Sequence, residues 1–166
     1  MKSHKLFPRL KFFIFYFLLL TSHSSLYSIE PKITSNQIEF YKNENKIIFK
    51  DCVKVTDREN FLLCDYAVKD DTLKVVDISG NIKGYWLVES TGIIELNAQS
   101  GRWELEKNSI ELRGKPYAVY IDSENKKLEI ISEKIEVNTE LKTMKFIRSV
   151  ILNYEHSKVE SEFAEY

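Results

Sequence analysis

Five small residues recur along the chain at spacings that keep a second landmark in step. Ser35, Cys64, Ala98, Ser132 and Ser161 each open a short strand-like run, at gaps of 29, 34, 34 and 29 residues. Sixteen residues after each of the first four stands a turn-like pair: Asp51-Cys52, Gly80-Asn81, Gly114-Lys115 and Arg148-Ser149. A unit of ~30 residues cannot bury an apolar face alone and does so by stacking on its neighbours. The chain therefore reads as a repeat whose core runs from unit to unit.

Within each unit the apolar period is two. Ile47 and Phe49, Val76 and Ile78, Ile110 and Leu112, and Met144 and Phe146 precede the pair, and Val53 and Val55, Ile82 and Gly84, Pro116 and Ala118, and Val150 and Leu152 follow it. Charged or polar residues such as Lys50, Lys54, Glu111, Arg113 and Lys145 stand between them. Such alternation puts one row of side chains on each face of a strand, whereas a helix needs apolar spacings of three and four. Polar clusters rich in Asn and Asp interrupt it at 41–45, 57–60, 69–71, 79–81 and 122–125. Their side chains bond nearby backbone and tolerate left-handed conformations, so a chain with five Gly can still turn often. The expectation is an all-β fold of consecutive antiparallel strands, about a dozen, without a second domain.

The N-terminus has a different plan. MKSHKLFPRLK carries Lys2, Lys5, Arg9 and Lys11 and no acid, the apolar run Phe12–Leu20 follows, and Thr21–Ser28 is small and polar. These are the three regions of a secretory signal peptide, with cleavage between Ser22 and Ser28. The nine apolar residues are about half of the ~20 that span a bilayer; the other reading keeps the segment as an uncleaved anchor. Residues 1–28 are thus the expected leader and residues 29–166 a single exported domain. Without the leader, 20 basic residues face 25 acidic ones, a net of −5, which gives no long-range attraction to nucleic acid.

Chemistry-bearing residues are few. His4 and His23 lie in the leader and leave His156 as the one remaining imidazole beside two Cys, too few for a His/Cys zinc cluster. No catalytic residue, metal site or cofactor is expected. Asp70-Asp71 and the Asp57/Glu59 pair read as solvated turn residues, since neither has calcium-loop spacing. Around the 57–60 turn, one register pairs Cys52 with Cys64. A register one residue over pairs Val53 with Cys64 and Val55 with Leu62, apolar with apolar, and turns Cys52 outward. A disulfide stays open between the two.

These segments resemble a known family. Ile33-Thr-Ser-Asn-Gln-Ile-Glu-Phe40 followed by Ile47-Ile-Phe-Lys-Asp-Cys-Val-Lys-Val55 is similar to the OstA/LptA-type repeat of lipopolysaccharide transport, as are Ser79-Gly-Asn-Ile82 and Leu96–Leu105. Asp51-Cys52 and Arg148-Ser149 depart from that family's Gly-Asn pair. The resemblance implies an open β-jellyroll whose apolar trough shields the acyl chains of lipopolysaccharide or a related glycolipid. It implies a bridge from an inner-membrane export complex to an outer-membrane translocon, joined by β-strand augmentation, with head-to-tail self-assembly. With the leader kept, the matching role is that of an LptC-type membrane-anchored component. A third reading is a structural or surface β-repeat that binds no lipid.

Under the resemblance the trough is lined by Ile47, Phe49, Val53, Val55, Val76, Ile78, Ile82, Trp103, Ile110, Leu112, Phe146 and Leu152, with Trp86 and Trp103 suited to its lip. Alternation alone fits a dry core for the same residues. The docking edges are expected at Ile33 and Ile38 on one side and Phe163 and Tyr166 on the other. Ser161–Tyr166 reads as the first strand of an uncompleted unit, left free to pair with a partner or paired internally.

Overall fold

The alternation becomes strands throughout the residues described by the computed structural model, 30–88 and 92–166. The expected leader lies outside them. Twelve strands form among them: β1 (Lys32–Thr34), β2 (Gln37–Tyr41), β3 (Lys46–Asp57), β4 (Asn60–Asp70), β5 (Val75–Val88), β6 (Gly92–Glu104), β7 (Ser109–Arg113), β8 (Tyr117–Asp122), β9 (Lys127–Ile131), β10 (Lys134–Asn138), β11 (Thr143–Tyr154) and β12 (Ser157–Glu165). All pairings are antiparallel and belong to one sheet.

Several of these strands are pieces of longer ones. β1 and β2 both pair with β3, β7 and β8 both pair with β6, and β9 and β10 both pair with β11. Taken with these breaks, the chain is a single meander in which each long strand pairs with the one before and the one after it.

The repeated pair is what divides each long strand. Asp51 and Cys52 have φ of 59° and 54°, Gly80 and Asn81 77° and 44°, Gly114 and Lys115 86° and 56°, and Arg148 and Ser149 63° and 48°. The register slips at each: between Lys50 and Val53, between Ser79 and Ile82, and between Ile147 and Val150, while residues 114–116 separate β7 from β8. Two left-handed residues opposite one are a β-bulge, which bends a strand without ending it. The pairs, and the 79–81 cluster, are therefore bends within strands and not the hairpin turns that their composition suggested. Because the bulges fall at one level of the meander, the sheet folds there into two halves. Residues 46–50, 66–70, 75–79, 100–113 and 134–147 belong to one half, and 53–64, 82–97, 117–131 and 150–161 to the other.

True reversals lie at the ends of each half. Two use a 3₁₀ turn closed by a left-handed Asn: Lys42–Glu44 with Asn45, and Leu105–Lys107 with Asn108. Two more at the same end as these use a side-chain cap, as Asp122 does at the opposite end. Asp70 Oδ1 accepts from the N–H groups of Thr72 and Leu73, and Asn138 Oδ1 from those of Glu140 and Leu141. These four tips are laced side by side, since Asp71 N–H donates to Asn45 O, Leu105 N–H to Lys74 O and Thr139 N–H to Asn108 O at 2.8–3.0 Å.

Buried side chains of both halves form one cluster, including fully enclosed Leu62, Leu96, Leu112, Ile135, Phe146 and Val150. Each such side chain stabilises the fold by about 1.5–3 kcal/mol relative to exposure. Outer faces carry ion pairs such as Lys50–Glu39 at 2.7 Å and the two-pronged Arg102–Asp77 contact at 2.6 and 2.9 Å. Exposed pairs of this kind contribute about 1 kcal/mol or less each.

The hairpin register is the apolar one: Val53 opposes Cys64 and Val55 opposes Leu62. Cys52 stands exposed in the bulge, Cys64 is buried, and both are free thiols.

Candidate functional site

The interior is ordered as rows running across the strands. In one half, Ile38, Phe49, Ala67, Ile78, Gly101, Leu112, Ile135, Phe146 and Ala164 oppose one another in sequence across nine strand segments. Beside them runs Phe40, Ile47, Lys69, Val76, Trp103, Ile110, Val137 and Met144, with Tyr166 closing the row through paired backbone bonds to Met144. In the other half the row is Ile33, Val55, Leu62, Gly84, Leu96, Ala118, Ile130, Leu152 and Val159.

All twelve residues expected to line a trough lie on these rows or beside the bends, and they come together. Phe49, Val53, Val55, Val76, Ile78, Ile82, Trp103, Ile110, Leu112 and Phe146 belong to the buried cluster, and Ile47 and Leu152 pack against it. The ten in the cluster touch one another and are closed to solvent, while Ile47 and Leu152 are only partly covered.

At the margins the same rows are open. Ile38 is 46% exposed, Phe40 70% and Val159 55%, although each continues an interior row. The reason is topological: β1 and β2 pair only with β3, and β12 pairs only with β11, so no strand among the described residues covers the two ends. Ile33 is half-buried, Ile38 lies on the inner row, and Tyr166 stacks obliquely against Tyr120 at 5.6 Å between ring centres. Phe163 differs from these three. It opposes Ile147 while its neighbour Ala164 opposes Phe146, so Phe163 is on the outer face.

A third opening lies between the tips of the two halves. A cavity of about 680 Å³ there has Trp86, Ile94, Val137, Met144 and Tyr166 in its walls and Arg58, Asn60 and Leu141 among its rim residues. Trp86 thus lines this cavity while Trp103 is deep in the row, and both belong to the buried cluster. Beside the cavity, Asp57 at the β3–β4 tip is buried, and burial pushes its carboxyl above the usual Asp range against the opposing effects of Arg58 and a hydrogen bond with Thr139.

Two features of the interior escaped the sequence reading. β9 and β10 contribute Ile130, Ile135 and Val137, and their alternation, Leu128/Ile130 and Ile135/Val137, is the signal that finds them. Lys69 is the other. Counting by two from buried Ala67 puts it on the inward face, where it is the sole charged residue of the three rows.

The architecture has a counterpart among solved structures. Neither a protein-family model nor a curated protein matches the chain by sequence. The crystal structure of LptH from Pseudomonas aeruginosa, described as the LptA homologous periplasmic component of the conserved lipopolysaccharide transport device, matches with a TM-score of 0.54 and 14% identity, over 76% of this chain and 82% of that one. The fold is an LptA-like β-jellyroll. At that identity the likeness concerns backbone architecture.

Proposed function

We propose that the protein is an exported carrier of lipopolysaccharide or a related glycolipid that shelters acyl chains between the two halves of its jellyroll. One observation carries this reading: the interior rows are apolar except at Lys69 and remain uncovered at Ile38, Phe40 and Val159. The fold likeness to a periplasmic transport component supports it. On this reading residues 1–28 are the cleaved leader, the protein works in the periplasm, and no catalytic group is needed because movement along an apolar surface breaks no polar contact. A partner supplies the energy. The end strands pair with the inner-membrane export complex, with the outer-membrane translocon or with further copies.

Binding must reconcile an acyl chain with a packed middle. The halves are joined by bulges and touch through apolar side chains, so a tail that enters trades one set of apolar contacts for another. Such an exchange costs little, because hydrophobic attraction is non-directional. The openings at the ends and between the tips are where it starts. Native mass spectrometry of protein released gently from its own envelope tests the reading: a co-purifying glycolipid is expected. Protein that carries no lipid under conditions that retain a known carrier's ligand would overturn it.

A second reading, a structural β-repeat with a dry core, is favoured by the closed middle of the rows. It assigns the same residues to packing alone.

A further inference from the structure

Lys69 stands where the rows on either side of it are apolar: Ile47 opposes it from β3 and fully buried Val76 from β5. A cation on such a surface loses hydration and persists only with partners. It has two. Its Nζ lies 2.9 Å from Glu30 Oε2 and 3.0 Å from Asp71 Oδ1. Burial pulls the ammonium's pKa down, and the two carboxylates more than offset this, so Lys69 stays charged above the usual Lys range.

The partners are unlike each other. Asp71 belongs to the adjoining β4–β5 tip. Glu30 precedes β1, which pairs with the second half of β3, so its carboxylate reaches Lys69 across 39 residues of sequence. Glu30 remains exposed while Lys69 is mostly covered. Glu30 thus sets an exposed carboxylate on an inward cation, the one charge that the interior rows offer to an anionic oxygen. Lys69 is also next to the uncovered end of its row, two strand steps from Phe40 through Ile47.

We propose that Lys69 binds the anionic head, phosphate or carboxylate, of an acidic amphiphile whose tail lies along the interior rows, with Glu30 holding the ammonium until that ligand displaces it. The proposal rests on the carrier reading above and adds the head-group chemistry and its residue. Glu30 then sets affinity as a competitor: the ligand must exchange one charged hydrogen bond for another, and a neutral head gains nothing from the exchange.

The test is titration of the full exported chain with dodecyl phosphate and with dodecyl maltoside, both below micelle formation, followed by Trp fluorescence. Trp103 lies two strands from Lys69 on the same row, about 10 Å away at the usual strand spacing. Wild type is expected to bind the phosphate about tenfold more tightly than the maltoside, the size of effect a charge-assisted hydrogen bond supplies. Lys69→Met is expected to bind both alike, and Glu30→Gln to bind the phosphate more tightly with the maltoside unchanged. A Lys69→Met protein that keeps the wild-type preference overturns the proposal and leaves the carrier reading intact; Lys69 then merely extends its ammonium to Asp71 over an apolar stem. Binding of neither amphiphile by any form overturns both. If Lys69→Met does not fold, Glu30→Gln decides alone: tighter phosphate binding supports the proposal, and unchanged or weaker binding overturns it.

Discussion

Asn81 donates its side-chain N–H to Asp65 Oδ2 at 2.8 Å across the second bulge, sixteen residues after it in sequence. Ser149 repeats the relationship in the fourth unit, donating to Glu133 Oε1 at 2.9 Å over the same separation. In these two units the residue after the small landmark thus meets the second member of the bulged pair. The constant offset in the sequence is the distance the chain travels to return to its own bend.

Glycines at and near the bends should therefore be sensitive for two different reasons. Gly80 has φ +77° and a Cβ there would stand 2.6 Å from Asp65 Oδ2, so Gly80→Ala should cost about 1–2 kcal/mol. Gly84 has ordinary backbone, but its Cβ would stand 2.8 Å from Leu62 Cδ2 and closer still to Leu96; Gly84→Ala should cost about 1–3 kcal/mol through overpacking. Arg148→Gly, which relieves a side chain held at φ 63°, should be neutral or stabilise by up to about 1 kcal/mol. Urea unfolding midpoints at constant m-value check all three.

The two thiols should differ sharply in reactivity. Burial pushes the Cys64 thiol up to about 11, and its Sγ donates to Tyr66 O at 3.4 Å, so little thiolate forms at neutral pH and little reagent reaches it. Cys52 is exposed. A thiol-disulfide dye at pH 8 should label one Cys quickly in the folded protein and the second only on unfolding, since the thiolate is the reacting form. Two equal fast phases would contradict the placement of Cys64.

Asp57 gives a pH dependence of defined sign. Its folded pKa lies above the unfolded one because of burial, so the fold favours the protonated form. Its stabilising contribution is complete below the unfolded pKa and is lost as pH rises through the folded value. Asp57→Asn should then melt higher than wild type at pH 7, and the difference should shrink by pH 3. Equal melting temperatures at both pH values would show that Asp57 is not held in a desolvated site.

Much of this architecture was legible because a period of two survives noise: the inward positions of Phe49, Ile78, Leu112 and Phe146 follow from alternation alone. The Val53–Cys64 register was one of two that the sequence offered, the one that pairs apolar with apolar. The bends were misread as turns because a left-handed Asn or Gly serves a bulge and a hairpin equally well, and residue type cannot separate them. The reversal at Asn108 was overlooked because Leu105-Glu-Lys-Asn108 contains an apolar residue that the core takes up. Lys69 was passed over because its Glu30 partner is 39 residues away, beyond any local pattern. Whether an apolar row is core or trough depends on what covers its ends, which alternation does not encode.

The carrier reading is tested most directly by photo-crosslinking in cells, with a reactive side chain placed in turn at Phe49, Ile78 or Leu112 on the inner rows and at Lys54 or Glu111 on the outer faces. Lipid adducts from the three inner positions, and little or none from the outer two, are the predicted result. Adducts confined to the outer positions, or none from any, would contradict it.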